Sequence, residues 1–241
     1  MESLIAILIL FVGFFLVTRI IRNARHREEI YRKVRQNFGF YPALTLDNEL
    51  TERIRNLVKN KDERINFSRI YSRDCGAYRL FSCCIMTGSN SNSNQHNFIL
   101  VRKGLNLPSF RMAPGFPVTG KWTGFLQKMA RLALKSGDFE PVVLDKMPEF
   151  NKKYFLAARN PNILEKTFPE QMWRDLGNLP FMVFLKAEGE IIVFSIFNPS
   201  KGRTAENFEN SEMTLLKQAL ELAGRLNKIF QVNTQAVMVE N

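Results

Sequence analysis

Four carboxylates crowd the stretch GDFEPVVLDKMPEF: Asp138, Glu140, Asp145 and Glu149. Such a cluster could hold a cation or share acid–base work. A surface turn beside a strand has the same composition, and Lys146, Lys152 and Lys153 lie close enough in sequence to neutralise it. The structural account of Asp138, Asp145 and Glu149 is therefore the simpler one. Glu149, in the run MPEF, is the best single candidate for a role outside the core. Its carboxylate could equally accept from N–H groups at a strand edge or helix start.

Other nucleophilic and metal-binding chemistry finds little material. The chain has two histidines, His26 and His96, and any Ser-His-Asp or Cys-His device would have to use one of them. His26 falls in the expected neck and His96 in the expected hairpin tip around SNSNSNQ, both solvated contexts. Cys75, Cys83 and Cys84 make an odd count with an adjacent pair and no C-x-x-C spacing. That is a poor disulfide framework and a poor zinc site, because neighbouring strand residues face opposite sides. GSNSN lacks the second glycine of a nucleophile elbow, and NPSKGRT carries only the ending of a phosphate loop. Catalytic, cofactor and metal residues are therefore expected to be none. Asn66-Phe67-Ser68 fits a glycosylation sequon, which a cytosolic placement makes irrelevant.

The elements that must position these residues begin with an apolar run. Leu4 to Val17 holds twelve residues drawn from Leu, Ile, Phe and Val, with Ala6 and Gly13, and no charge. From Ser3 to Ile21 a helix would reach roughly 28 Å, close to the hydrocarbon thickness of about 30 Å, with Arg19 snorkelling to the headgroups. A cleaved signal would need a basic start and a small-residue cleavage site, but the run follows Glu2 and precedes TRIIRNARHR. A core helix would be apolar on one face, and this run is apolar all round. The expectation is a transmembrane anchor over 1–21, with Leu4, Ile5, Ile7, Leu8, Phe11, Phe14, Phe15 and Val17 in the bilayer.

Charge gives the orientation. Seven basic residues between Arg19 and Arg35 stand against Glu28 and Glu29, whereas the N-terminal side offers only Glu2 and the α-amino group. The positive-inside bias keeps the C-terminal side in the cytosol and exports the short N-terminus. The overall charge of +11 draws +5 from this segment alone. It is explained by anionic lipid headgroups, met by Arg19, Arg22, Arg25 and Arg27, rather than by nucleic acid. The 21 phenylalanines fall at core-compatible positions and form no basic–aromatic platform for single strands.

Downstream, a basic helical neck is expected over 22–37, with Ile30, Val34 and Phe38 as one modest apolar stripe. Gly39 and Pro42 break it, and the domain is read as 38–232, separable from the neck, followed by a tail over 233–241. LTLDNELTERIRNLVKN predicts a helix capped by Asp47, with Leu50, Ile54, Leu57 and Val58 on one face. NFSRIYS, AYRLFSCCIMTG, NFILVRKG and SFRMAP predict strands, with 89–95 as a hairpin tip. Trp122, Phe125, Leu126, Met129 and Leu132 trace a helix ending near Gly137. PVVLD and KYFLAA read as short strands around KMPEF. Asn160 before Pro161, and Pro169 before a run closed by Gly177, mark two short helices. FMVFLKAEGEIIVFSIF is a hairpin around Glu188-Gly189. Leu216, Leu220, Ala223, Leu226 and Phe230 keep helical spacing. Interleaved helices and hairpins predict an α+β fold with a mainly antiparallel sheet.

Pro148, Glu149, Phe150, Tyr154, Phe155, Pro169, Leu176 and the 181–197 hairpin together resemble a family of bacterial membrane-anchored proteins of unknown function with a C-terminal PEF α+β domain. LVRKGLNLPSFRMAPG is similar to that family's Leu-Pro-x-Phe strand, and the likeness spans roughly 98–232. Asn160-Pro161 departs from the family's acidic turn. The resemblance implies a tethered domain without assigned chemistry, and it carries no catalytic residues with it.

These readings favour a single-pass binding or scaffold domain at the cytoplasmic face of the inner membrane, with the lipid bilayer and a protein there as partners and no nucleic acid. Two alternatives stand beside it: a tethered hydrolase or transferase using 138–149, and an anionic-lipid-binding domain.

Overall fold

The computed structural model describes residues 2–43, 46–58, 65–87, 95–115, 138–196 and 205–239; the side chains of 2–10, 12, 87, 95, 205, 206 and 232–239 lie outside that description. Two compact units make up the chain, residues 1–40 with 198–216, and residues 41–197 with 217–241.

The second unit is built on a sheet whose central strands are apolar on both faces. Its described strands are β1 (Tyr41–Pro42), β2 (Ile65–Asp74), β3 (Arg79–Thr87), β4 (Gln95–Val101), β5 (Leu107–Pro114), β6 (Glu140–Val142), β7 (Tyr154–Ala158), β8 (Val183–Gly189) and β9 (Ile191–Ile196). They lie in the order β1-β2-β3-β4-β9-β8-β5-β7-β6, and every pairing is antiparallel. The α+β expectation holds, and the sheet is antiparallel throughout.

Side-chain alternation decides which helix covers which face. Phe81, Cys83, Ile85, Ile99, Ile191 and Val193 point to one side and form a core cluster with Ile54, Leu57 and Val58. Those three belong to α2 (Asn48–Val58), whose first turn is fixed by Asp47: its carboxylate accepts from the Glu49 N–H at 3.3 Å. Each such buried aliphatic side chain contributes about 1.5–3 kcal/mol of burial. Leu80, Cys84, Phe98, Leu100, Ile192 and Phe194 point the other way and are equally buried. The rings of Phe98 and Phe194 stack there at 5.5 Å.

On that second face lies an aromatic cluster. Phe110 of β5 meets Phe168, Trp173 and Phe230 with centroids 5.3–6.4 Å apart, and Phe150 meets Trp173 at 5.4 Å. The rings come from α3 (Pro148–Lys153), α5 (Glu170–Gly177), the Phe168 cap of α4 (Pro161–Thr167), and α6 (Ala205–Val239). Edge-to-face contacts of this kind add roughly 0.5–1.5 kcal/mol each beyond area burial. Asn160 caps α4 as expected, accepting from the Ile163 N–H at 3.1 Å.

Two local expectations are revised, and two local features go beyond them. KMPEF is not a plain connector: Pro148 opens α3, where its missing N–H costs nothing, and Asn151 braces the turn through both polar groups of Leu144, at 3.2 and 2.7 Å. His96 is not at a hairpin tip but inside β4, half-buried and opposite Cys84. β2 breaks its alternation at Arg69–Ile70, two residues facing one on β3, with Arg69 in the left-handed region (φ 53°). This bulge turns Tyr71 inward. The last helix runs to Val239. The helix expected around Trp122, and all of the tip expected at 89–95 except Gln95, lie outside the described residues.

In the first unit, α1 (Glu2–Asn37) is one uninterrupted helix of 36 residues, about 54 Å long at 1.5 Å per residue. Its last turns bury one face. Ile30, Tyr31 and Val34 are buried, as the stripe suggests, and so is Arg35, which has no exposed surface. Arg35 donates to Glu212 of α6 at 2.9 Å, and its guanidinium lies over the Tyr31 ring. Arg35 is thus withdrawn from the exposed basic residues of the segment 19–35. Among the described residues, no helix is long and apolar enough to cross a membrane. Four of the eight expected span residues, Leu4, Ile5, Ile7 and Leu8, have side chains outside the description.

Two outcomes follow from this packing. Arg35→Met removes the guanidinium that pairs with the buried Glu212, so thermal melts of the full chain should show a loss of about 3–5 kcal/mol. The double change Arg35→Met with Glu212→Leu should recover most of it. A single-variant melt matching wild type would show that the pair carries no stability.

Alkaline pH supplies the second. Burial pushes the Tyr154 hydroxyl, which donates to the Phe181 carbonyl at 3.3 Å, up to about 12. Tyr78 is also raised to about 12, by burial and then by Cys75. An unfolded tyrosine ionises near pH 10. These two groups thus contribute stability that is fully present below about pH 10 and lost as the pH rises towards 12. Tyr154→Phe should flatten that loss in melts between pH 9 and 12, and an unchanged slope would refute the assignment.

Candidate functional site

The feature of the first unit that departs most from ordinary protein surface is the outside of α1. Phe11, Phe14, Phe15, Leu16, Val17, Ile20 and Ile21 are between 46% and 70% exposed. At 100° per residue these positions occupy every side of the helix. A helix in a soluble core buries one stripe and presents polar residues elsewhere. This stretch has no polar side to present.

The basic residues follow directly along the same helix. Arg19, Arg22 and Arg25 are exposed, and Arg27, also exposed, has its guanidinium 5.8 Å from the centre of the Phe208 ring. Arg19 to Arg27 spans about 12 Å of axis, so the cations form a short collar beside the apolar surface. Arg32 and Lys33 are exposed further along, while Arg35 is turned inward.

The acidic residues are spread out rather than brought together. Asp138, Asp145 and Glu149 are all exposed. Glu149 pairs with Lys152 at 2.6 Å within α3, and Lys146 lies 3.6 Å from Glu170. Among the described residues, no group of three or more His, Cys, Asp or Glu side chains could hold a metal ion.

Beside them a cleft of about 510 Å³ opens between α3 and α5, over Phe150 and Trp173. Its charges are already engaged within the protein. Lys153 donates to the Gly177 carbonyl at 2.6 Å, Lys152 holds Glu149, and Arg174 lies 3.8 Å from Glu170. The sequence reading sets Lys153 against the acidic cluster and misses this contact, since a cation at the carbonyl end of a helix leaves no mark in sequence spacing. Lys153 complements the α5 dipole and locks α3 to α5.

The remaining chemical pair is Cys84 and His96. Their side chains stand opposite one another on β3 and β4, with Sγ 3.8 Å from Nδ1. Cys84 is 1% exposed, out of reach of a substrate. Cys83 faces the other side of the sheet, inside the α2 core, as adjacent strand residues must.

No known family matches this chain, and no curated protein matches it by sequence. Among solved structures, the mycobacterial trehalose monomycolate transport factor A, TtfA, shares 9% identity with a TM-score of 0.53, over 86% of this chain and 96% of that one. At that identity the likeness is one of fold: this chain is similar in architecture to TtfA across nearly the whole of both.

Proposed function

We propose that this protein is a single-pass, membrane-tethered binding domain without catalytic activity. In this reading α1 anchors it and the α+β domain lies in the cytosol at the inner membrane face. The observation that carries the proposal is the uncovered apolar surface around α1 from Phe11 to Ile21. With the run upstream of it, twelve Leu, Ile, Phe and Val residues favour insertion by about 4–7 kcal/mol as an upper value. The collar at Arg19, Arg22, Arg25 and Arg27 then meets anionic headgroups, each contributing about 1 kcal/mol, and sets the orientation.

Tethering is itself the mechanism. Confinement to a surface raises the domain's effective concentration towards a protein partner on the same membrane. The fold neighbour is described as a transport factor, a description compatible with a binding domain. In this reading the acidic segment takes no part, because its carboxylates are exposed and dispersed, and Glu149 is paired with Lys152.

Three measurements test this. The full chain should stay in the pellet after alkaline carbonate extraction, and a chain beginning at Arg22 should move to the supernatant with its melt intact, since it keeps Arg35. A reporter fused after Asn241 should be active only in its cytosolic form; strong activity from an export-dependent reporter there would overturn the orientation. Glu149→Gln should shift stability by no more than about 0.5 kcal/mol, because an exposed pair contributes little. An abundant, folded Glu149→Gln protein as defective in cells as the deletion would instead restore the enzyme reading.

A further inference from the structure

On the sheet face that α2 covers, cations outnumber anions. Register brings Arg111 of β5 directly opposite Lys186 of β8. Both reach the carbonyl end of α2: Arg111 donates to the Leu57 carbonyl at 3.2 Å and Lys186 to that of Val58 at 3.0 Å. Arg111 is 4% exposed, with its guanidinium 3.9 Å from the centre of the Phe139 ring. Arg159, which follows β7, lies over the other reach of that ring at 5.5 Å. Burial lowers the Arg111 pKa, and Arg159 lowers it further, against an opposing effect of Glu188. Two guanidiniums therefore repel each other across this patch.

Above them opens a cleft of about 500 Å³, lined by Arg53, Asn56 and Leu57 of α2, by Arg159, and by Glu188 and Ile191 of the β8–β9 hairpin. Glu188 is the one carboxylate in the lining, and it is bonded to Arg159 at 2.8 Å. Among the described residues Arg53 forms one ion pair, with the exposed Glu49 at 4.0 Å. Gly189, with φ +57°, leaves room for Arg53: a Cβ there would stand 3.1 Å from its Nη2. The hairpin turn and the arginine thus fit one another at the cleft mouth.

We infer that this cleft is an anion site for a phosphate-bearing ligand, with Arg53 and Arg159 as its two forks. Guanidinium groups pair with phosphate oxygens in bidentate fashion. Asn56 supplies a neutral donor, and Leu57 with Ile191 form a small apolar floor for whatever carries the phosphate. The volume is that of a small-molecule site. Binding lets Glu188 share Arg159 or swing away, so the carboxylate competes with the ligand. The phosphate can belong to a soluble monoester or to a lipid headgroup.

The experiment uses the full chain in phosphatidylcholine nanodiscs. Inorganic phosphate and glycerol phosphate are titrated at constant ionic strength, and a second set of discs contains phosphatidic acid. A saturable rise in melting temperature with the soluble probes identifies a soluble ligand; a rise with phosphatidic acid alone identifies a headgroup. In either case Arg53→Gln should weaken binding at least tenfold, and Glu188→Gln should tighten it severalfold, an effect that a purely structural glutamate would not give. Absence of any saturable shift, or a shift undiminished in Arg53→Gln and unaltered in Glu188→Gln, would overturn the assignment.

Discussion

The arrangement of the sheet unit depends on one constraint: its central strands are apolar on both faces. A strand such as FILV in β4 or IIVF in β9 has no side to give to water. Each face must be covered, and an antiparallel sheet covered on both sides reads as continuous apolar runs rather than alternation. α2 closes one face over Phe81, Ile99 and Val193. The aromatic residues of α3 to α6 close the other around Phe110. The short helices between β6 and β8 would be marginal alone, and burial of Phe150, Leu164, Trp173 and Leu176 holds them.

That covering creates its own electrostatic problem. A helix laid across a sheet ends with its last carbonyls over the strands, away from water. Arg111 and Lys186 solve it from below, because register places them side by side beneath the end of α2. At α5 the same task falls to Lys153. Cations at helix C-termini also match the macrodipole. The cost is a concentration of positive charge beside α2, which Glu188 offsets only in part.

In the helical unit, a charge pair stands where a hydrophobic pair would also fit. Arg35 and Glu212 sit at 0% and 6% side-chain exposure. Desolvation makes such a pair a modest source of net stability, but either member alone is strongly unfavourable. It therefore fixes which turn of α1 meets which turn of α6. This interaction divides the basic segment: the arginines up to Arg27 stay exposed, whereas Arg35 serves the fold.

Much of the architecture was legible because periodicity and turn chemistry are local. The hairpin at Glu188-Gly189, the caps at Asp47 and Asn160, the buried face of α2 and the apolar run of α1 all follow from residues within one or two turns of each other. What escaped was nonlocal or depended on parity. The bulge at Arg69 reverses the alternation of β2 without a glycine to announce it. MPEF became a helix because Asn151 reaches back to Leu144. Arg35 finds its partner 177 residues away, and nothing in the basic run distinguishes it from Arg32. By itself, the sequence determined element types, the antiparallel class and an all-round apolar helix, since these depend on propensity and pattern. Only the tertiary structure decided which charges are spent within the protein and which remain available, because pairing a charge requires two side chains that only folding brings together.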